Sequence, residues 1–313
     1  MKIRLNHAGI TTLLITLILT ACSNNQQIER PDRTIRPLDQ ETSDLADVTR
    51  DSLDLINRTG KNNVLVVFDI DNTLLAMEQG LGSDQWYDWQ KHLSQEDPCN
   101  PANVGERFAA QGALYFVSAM RATQADAARQ VTLIQDQGVG VIALTSRGMD
   151  YQLQTFRELR RNGFDFTYSA IGPPGGYDAP FIPVNDGRQS LYSDGVFLTA
   201  GQHKGQMLQA LLTKTGTPLP GVIVMTDDKQ KNLDAVKETF SALNVPVRAW
   251  RYTGEDQNVK NFDTVLAAEQ WTSIEAALRQ IQQVLGPDNY DLTTVVPPPE
   301  CDQPESSSPV SGD

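Results

Sequence analysis

Histidine and cysteine are scarce, three of each in 313 residues. His7 lies in an apolar leader, which leaves His92 and His203, too few for a His/Cys zinc cluster or a multi-histidine metal centre. A Ser-His-Asp triad would have to use one of those two, and no G-x-S-x-G elbow occurs. Basic residues are outnumbered, 26 Lys and Arg against 39 Asp and Glu, for a formal charge of −13. Residues 1–21 hold Lys2 and Arg4 and no acid, so losing them would take the remainder to −15. Without clustered basic residues the chain offers no surface to a phosphate backbone or an anionic bilayer, which argues against nucleic acid as a partner. No internal repeat occurs, and the apolar run Ile10 to Leu19 is too short for a comfortable membrane span. Elimination leaves carboxylate chemistry.

Acids do stand in an unusual setting. VLVVFDIDNTLL (64–75) begins as a short apolar run of buried-strand type and ends in two carboxylates spaced i, i+2, Asp69 and Asp71. At the carboxyl end of a parallel strand such a pair opens into the crevice where α/β sheets place ligands. One acid can serve as nucleophile or metal ligand while the other carries a proton. An acidic turn after a strand is the plainer reading, with the Thr73 hydroxyl tying it down. A calcium loop is excluded, because Leu74 stands where its glycine is required and Gly80 where the bidentate Glu belongs. VGVIALTS (139–146) is a second apolar strand, ending in Thr145 and Ser146. GVIVMTDD (221–228) is a third, ending in Asp227 and Asp228. Between them GQHKGQMLQALL (201–212) puts Lys204 at the start of a helix pattern, where a cation opposes the helix dipole. That position favours a purpose for it.

Lys2 and Arg4 precede the apolar run and a small residue, Ala21, as in an export signal. Leu19-Thr20-Ala21-Cys22 resembles a bacterial lipobox, in which Cys22 is lipidated and becomes the first residue; an ordinary secretory peptide is the alternative. Ser23 resembles the sorting pattern of outer-membrane lipoproteins. The expectation is a cell-envelope protein held by lipid on Cys22, at the outer membrane facing the periplasm. In such an oxidising compartment Cys99 and Cys301 could pair, subject to the geometry of the fold.

The expected organisation is a signal peptide over 1–21, a flexible tether over 22–50, one α/β domain over 51–286 and a disordered Pro/Ser/acidic tail over 287–313. Strands are expected near 64–68, 139–144, 166–170, 221–226 and 246–251. Helices are expected near 105–119, 124–136, 150–162, 204–214, 229–243 and 260–284, the last broken around Thr272. This alternation predicts a mostly parallel five-stranded core sheet with helices on both faces. Two insertions interrupt it. One, about 76–135, reads as a helical cap in which Trp86 and Trp89 share a helix face, for packing or for substrate stacking. The other, about 172–200, reads as a small β excursion with a hairpin at Asp194-Gly195.

Acid pair, hydroxyl, lysine and acid pair, in that order and mostly on strand ends, resemble the four motifs of the HAD (haloacid dehalogenase-like) superfamily. Within it, DIDNTLL, LGSDQW, LTSRG, Lys204-Gly205 and DDKQKN are similar to the domain-of-unknown-function group numbered 2608, bacterial proteins that are often exported. DIDNT is also similar to the first motif of secreted class B and class C acid phosphatases.

The resemblance implies a HAD-like Rossmannoid fold and a magnesium-dependent phosphatase acting on a phosphorylated small molecule. Asp69 would be the nucleophile that forms an aspartyl-phosphate, and Asp71 the proton donor to the leaving oxygen and then the base for water. A halide leaving group needs no proton, so Asp71 points to phosphoryl chemistry. Thr145 would bind a phosphoryl oxygen, joined by Ser146, while Arg147 is either a further contact or a surface residue. Lys204 would neutralise charge shared by Asp69 and the phosphoryl group. Mg²⁺ would take the Asp69 carboxylate, the Asp71 backbone carbonyl and Asp227, with Asp228 as the alternate ligand or a water anchor. Asn232 would hold a metal-bound water or stand exposed on a helix. Two features depart from the pattern: Lys229 directly follows the second acid pair, and His203 has no assigned role. Two other functions stay open, a non-catalytic binding lipoprotein that keeps the fold and a phosphotransferase using the same aspartyl-phosphate.

Overall fold

A computed structural model describes residues 35–105, 107–173 and 187–285. In chain order, β1 (Leu38–Thr42), α1 (Leu45–Thr59) and β2 (Val64–Phe68) lead into an insertion bounded by β3 (Leu75–Met77) and β4 (Met120–Ala122). The insertion carries α2 (Asp84–Glu96) and α3 (Arg107–Val117). There follow α4 (Ala127–Gln135), β5 (Gly140–Thr145), α5 (Gln152–Arg161), β6 (Leu191–Ser193) and β7 (Val196–Leu198). The chain continues through α6 (Lys204–Thr215), β8 (Val222–Asp227), α7 (Gln230–Ser241), β9 (Val247–Tyr252), α8 (Asp256–Lys260) and α9 (Thr264–Leu285).

The protein is α/β, with a mostly parallel sheet flanked by helices. Its order is β1-β9-β8-β2-β5-β7-β6, and the β6–β7 contact is the antiparallel one. β2 is central and buried along its whole length, as its unbroken VLVVF run requires. Alternate side chains feed the two faces. Val64, Val66 and Phe68 join Leu45, Val48 and Leu55 of α1 and Val131 and Ile134 of α4. Leu65 and Val67 meet Met207, Leu208 and Leu211 of α6 and Val236 and Phe240 of α7. A third cluster binds the insertion to α9: Trp86 of α2 and Leu114 of α3 pack on Ala267 and Trp271. None of the helices in the described residues is long and apolar enough to cross a membrane.

Several expectations are corrected. Among the described residues the sheet has seven strands, not five. The tether does not reach residue 50, because β1 pairs with β9 and α1 covers one face of the sheet. LDQET reads as linker because β1 is an edge strand whose middle residues face solvent. Residues 167–169 form a single 3₁₀ turn in place of the strand expected at 166–170, and β7 takes the position beside β5. The hairpin at Asp194-Gly195, with positive φ at both residues, therefore belongs to the main sheet. Residues 174–186 of the expected excursion lie outside the described residues, as do the signal segment, Cys22 and the tail from 286. The cap is shorter than expected: β3 and β4 close it at its base, and α4 packs on α1 as part of the core. Helix α9 runs unbroken through Thr272.

Gly205 shows why a small residue follows Lys204. A Cβ there would collide with the Ala235 carbonyl oxygen and the Thr239 hydroxyl of α7, so the two helices meet at this point only over glycine. Gly205→Ala is expected to lower unfolding free energy by about 1–3 kcal/mol and to shift Lys204, measured by urea denaturation. A midpoint equal to that of the wild type would contradict the close approach.

Candidate active site

Because β2, β5 and β8 are parallel and in register, their carboxyl ends share one edge, with Phe68 opposite both Ala143 and Thr226. Asp69 continues the ladder by one bond, donating its N–H to the Thr226 carbonyl at 2.9 Å. Lys204, in the first turn of α6, is 2 % exposed. Its ammonium donates to Asp69 Oδ1 and to Asp227 Oδ2, both at 2.6 Å. The Asp227 Oδ1 atom accepts from the Lys229 N–H at 2.9 Å and from Asn232 Nδ2 at 2.8 Å. Asn232 is therefore neither exposed nor idle; it orients Asp227 from the first turn of α7. His203 also gains a role, since its Nδ1 accepts from the Gln206 N–H and caps α6.

Asp228 accepts no hydrogen bond from the described residues, yet it is half-buried beside two other acids. One carboxylate oxygen each from Asp69, Asp227 and Asp228 lies within 4.8 Å of the others. The three carboxylates outnumber the one ammonium that bonds two of them, and a divalent cation could balance the excess. All donors are oxygen, which suits a hard ion such as Mg²⁺. The same imbalance moves the proton affinities. Burial, then the Asp227 charge, push Asp69 up to about 8 against the pull of Lys204. Burial and the Asp227 and Asp69 charges push Asp228 well above the usual carboxylate range.

Asp71 turns elsewhere. Arg147 Nε reaches its Oδ2 at 2.9 Å and Arg147 Nη2 its Oδ1 at 2.8 Å, while the Tyr115 hydroxyl donates to Oδ1 at 3.3 Å. Burial acts to raise the Asp71 pKa, and the Arg147 charge and hydrogen bonds more than reverse it, leaving it below the ordinary value. Arg147 is thus a buried partner of the second acid, not a surface residue. Thr145 is fully buried at the end of β5, its hydroxyl accepting from the Arg147 N–H at 3.1 Å, whereas Ser146 is exposed. Thr73 does not hold the acid turn by its hydroxyl, which has no hydrogen-bond partner among the described residues. Backbone bonds from Leu74 and Leu75 to the Ile70 carbonyl do that work.

The insertion supplies a contact that sequence reading missed. Lys229, directly after the acid pair, bonds Asp84 at 2.6 Å and Asp88 at 2.7 Å on α2. Trp86 is fully buried with its ring 6.2 Å from that of Trp271, and Trp89 meets Phe262, so both pack and neither forms an open platform. Cys99 is disulfide-bonded, and both cysteines that could be its partner, Cys22 and Cys301, lie outside the described residues.

Fold and site together define an α/β protein with an acid–lysine centre at the carboxyl edge of a parallel sheet. A family model described as "Protein of unknown function (DUF2608)" matches residues 41–284, and the chain belongs to that family. No curated protein matches the chain.

Between the ordinary 3.8 and about 8, folded Asp69 holds a proton that the unfolded chain releases, so the ion-free protein should lose stability as pH rises through that window. A divalent cation needs the deprotonated acid and should oppose this loss. Thermal denaturation in chelator is expected to give a lower Tm at pH 8 than at pH 5.5, with Mg²⁺ raising Tm more at pH 8. A Tm increment from Mg²⁺ that is equal at both pH values would contradict the assignment.

Proposed function

We propose that the protein is a magnesium-dependent phosphomonoester hydrolase of the HAD-like type, working through an aspartyl-phosphate. The observation that carries this reading is the Lys204 ammonium held between Asp69 and Asp227, with Asp228 beside them. A lone acid on a strand end needs no buried lysine, and a purely structural ion pair needs no third, unpartnered carboxylate.

In this reading the dianionic substrate, on entering beside Asp71, makes that carboxylate take up a proton from solvent. Asp69 then attacks phosphorus, the bond from phosphorus to the alcohol oxygen breaks, and the alcohol oxygen takes the Asp71 proton as it leaves. Water then attacks the phosphoryl group and gives its proton to Asp71, and Asp69 is regenerated as inorganic phosphate departs. Lys204 keeps positive charge against Asp69 while the dianionic phosphoryl group approaches. Thr145, with nearby backbone N–H groups, holds a phosphoryl oxygen, and Ser146 on the exposed side of the same loop adds a contact. Asp69, the Asp71 backbone carbonyl, Asp227 and Asp228 are the groups that would hold Mg²⁺, which supplies charge neutralisation to the phosphoryl oxygens when bound.

Protein lacking residues 1–22 is expected to hydrolyse a generic aryl phosphate with Mg²⁺ present. Asp69→Asn should lower kcat by more than about 1,000-fold, and EDTA should abolish turnover. Full activity in either case would end the proposal. Anchorage by lipid on Cys22, at the periplasmic face of the outer membrane, belongs to the same reading and rests on the lipobox-like LTAC sequence. Cys22→Ser should move the full-length protein from the membrane to the soluble fraction; an unchanged distribution would count against the anchor.

A further inference from the structure

We infer that Arg147 is a positioning residue that locks the Asp71 carboxylate in one orientation, an inference that rests on the phosphatase reading above. An aspartate just beyond a strand end has two side-chain torsions, and a single hydrogen bond leaves rotation about it. Arg147 removes that freedom with two bonds, one to each carboxylate oxygen. Only a planar guanidinium presents such a fork; a lysine offers a point charge.

The guanidinium is itself held from several sides. Nη1 donates to the Thr155 hydroxyl of α5 at 2.8 Å, and Nη2 lies 3.2 Å from Met120 Sδ of β4. The guanidinium carbon sits 4.6 Å from the centroid of Tyr115 on α3, whose hydroxyl reaches the same Asp71 oxygen. The Arg147 backbone is pinned as well, its N–H to the Thr145 hydroxyl and its carbonyl to the Ala200 N–H. The Arg147 side chain is 4 % exposed, enclosed between residues of the core and of the insertion. A buried ion pair is a poor means of stabilising a fold, and apolar side chains of similar volume do as well or better. Its placement on the second acid is what a positioning role requires.

The test is kinetic, with Mg²⁺ and p-nitrophenyl phosphate, on the wild type, Arg147→Gln, Arg147→Lys, Asp71→Asn and the Arg147→Gln/Asp71→Asn pair. A misplacement of about 1 Å at a reacting group costs about 100-fold in rate. Arg147→Gln is therefore expected to lower kcat by about 100-fold with KM within about threefold, and Arg147→Lys to recover part of the loss. In the Asp71→Asn background, adding Arg147→Gln should lower kcat no further, because Arg147 acts through Asp71. Unchanged kcat in Arg147→Gln, or two effects that multiply in the double variant, overturns the inference while leaving the phosphatase reading in place. No turnover by the wild type overturns both. Should Arg147→Gln fail to fold, Arg147→Lys carries the test: a loss of about tenfold in kcat at constant KM supports the inference, and wild-type kcat overturns it.

Discussion

Everything at the carboxyl edge of the sheet depends on one buried ammonium. Lys204 joins the end of β2 to the end of β8 from the first turn of α6, three segments that meet only in the folded chain. Burial alone acts to strip the proton from this lysine, and the Asp227 and Asp69 charges hold it on and raise its pKa instead. Removing the lysine would leave two buried carboxylates facing each other at close range, which is among the costlier defects a core can carry. The local sequence is built around the pair. Gly205 lets α6 approach α7, His203 caps the helix, and Asn232 turns Asp227 toward the ammonium.

The insertion is fastened on two sides of this edge. Apolar contact does most of it, through Trp86 and Leu114 against Ala267 and Trp271 of α9. Ionic contact adds register. Lys229 reaches Asp84 and Asp88, and Arg121 of β4 forms a two-pronged pair with Glu255 near the end of β9. Because β3 and β4 pair at its base, the insertion enters and leaves the core through a two-stranded neck. α2 is thus a fixed wall beside the acids, and Asp84 feels the charge of Asp71 across it.

Legibility in the sequence followed burial. β2, β5 and β8 announce themselves because strands covered on both faces must be apolar almost throughout, while β9 carries Arg248 and Arg251 among its apolar residues. β1 hides because an edge strand can be polar, and FTYSA around 166–170 misleads because short aromatic and β-branched runs also form turns. Asp69, Lys204 and Asp227 were readable as acids on apolar strand ends and a cation on the wrong end of a helix. The Arg147–Asp71 pair spans 76 residues of chain and leaves no local pattern. Lys229 likewise reaches across the sheet edge to a helix whose position only the tertiary fold determines.

The two acids of the first motif end in opposite environments, and the backbone explains how. In an extended strand, residues two apart share a side, so Asp69 and Asp71 would compete for one cation. The strand ends at Phe68, however, so neither acid lies in it, and past them the chain turns, with Asp71 in an isolated bridge with Leu75 and Asn72 at a positive φ. Each carboxylate then meets its own partner, Lys204 for one and Arg147 for the other. Burial opposes ionisation in both, but compensation differs. Asp71 has a forked guanidinium to itself and falls below the ordinary value, whereas Asp69 shares one ammonium with Asp227 and rises to about 8. In the ion-free protein the two neighbouring carboxyl groups are therefore driven apart, with Asp71 ionised and Asp69 holding the proton. On the proposed reading, further positive charge entering beside Asp228 favours the ionised, nucleophilic form of Asp69, so binding of the ion and readiness for chemistry are coupled.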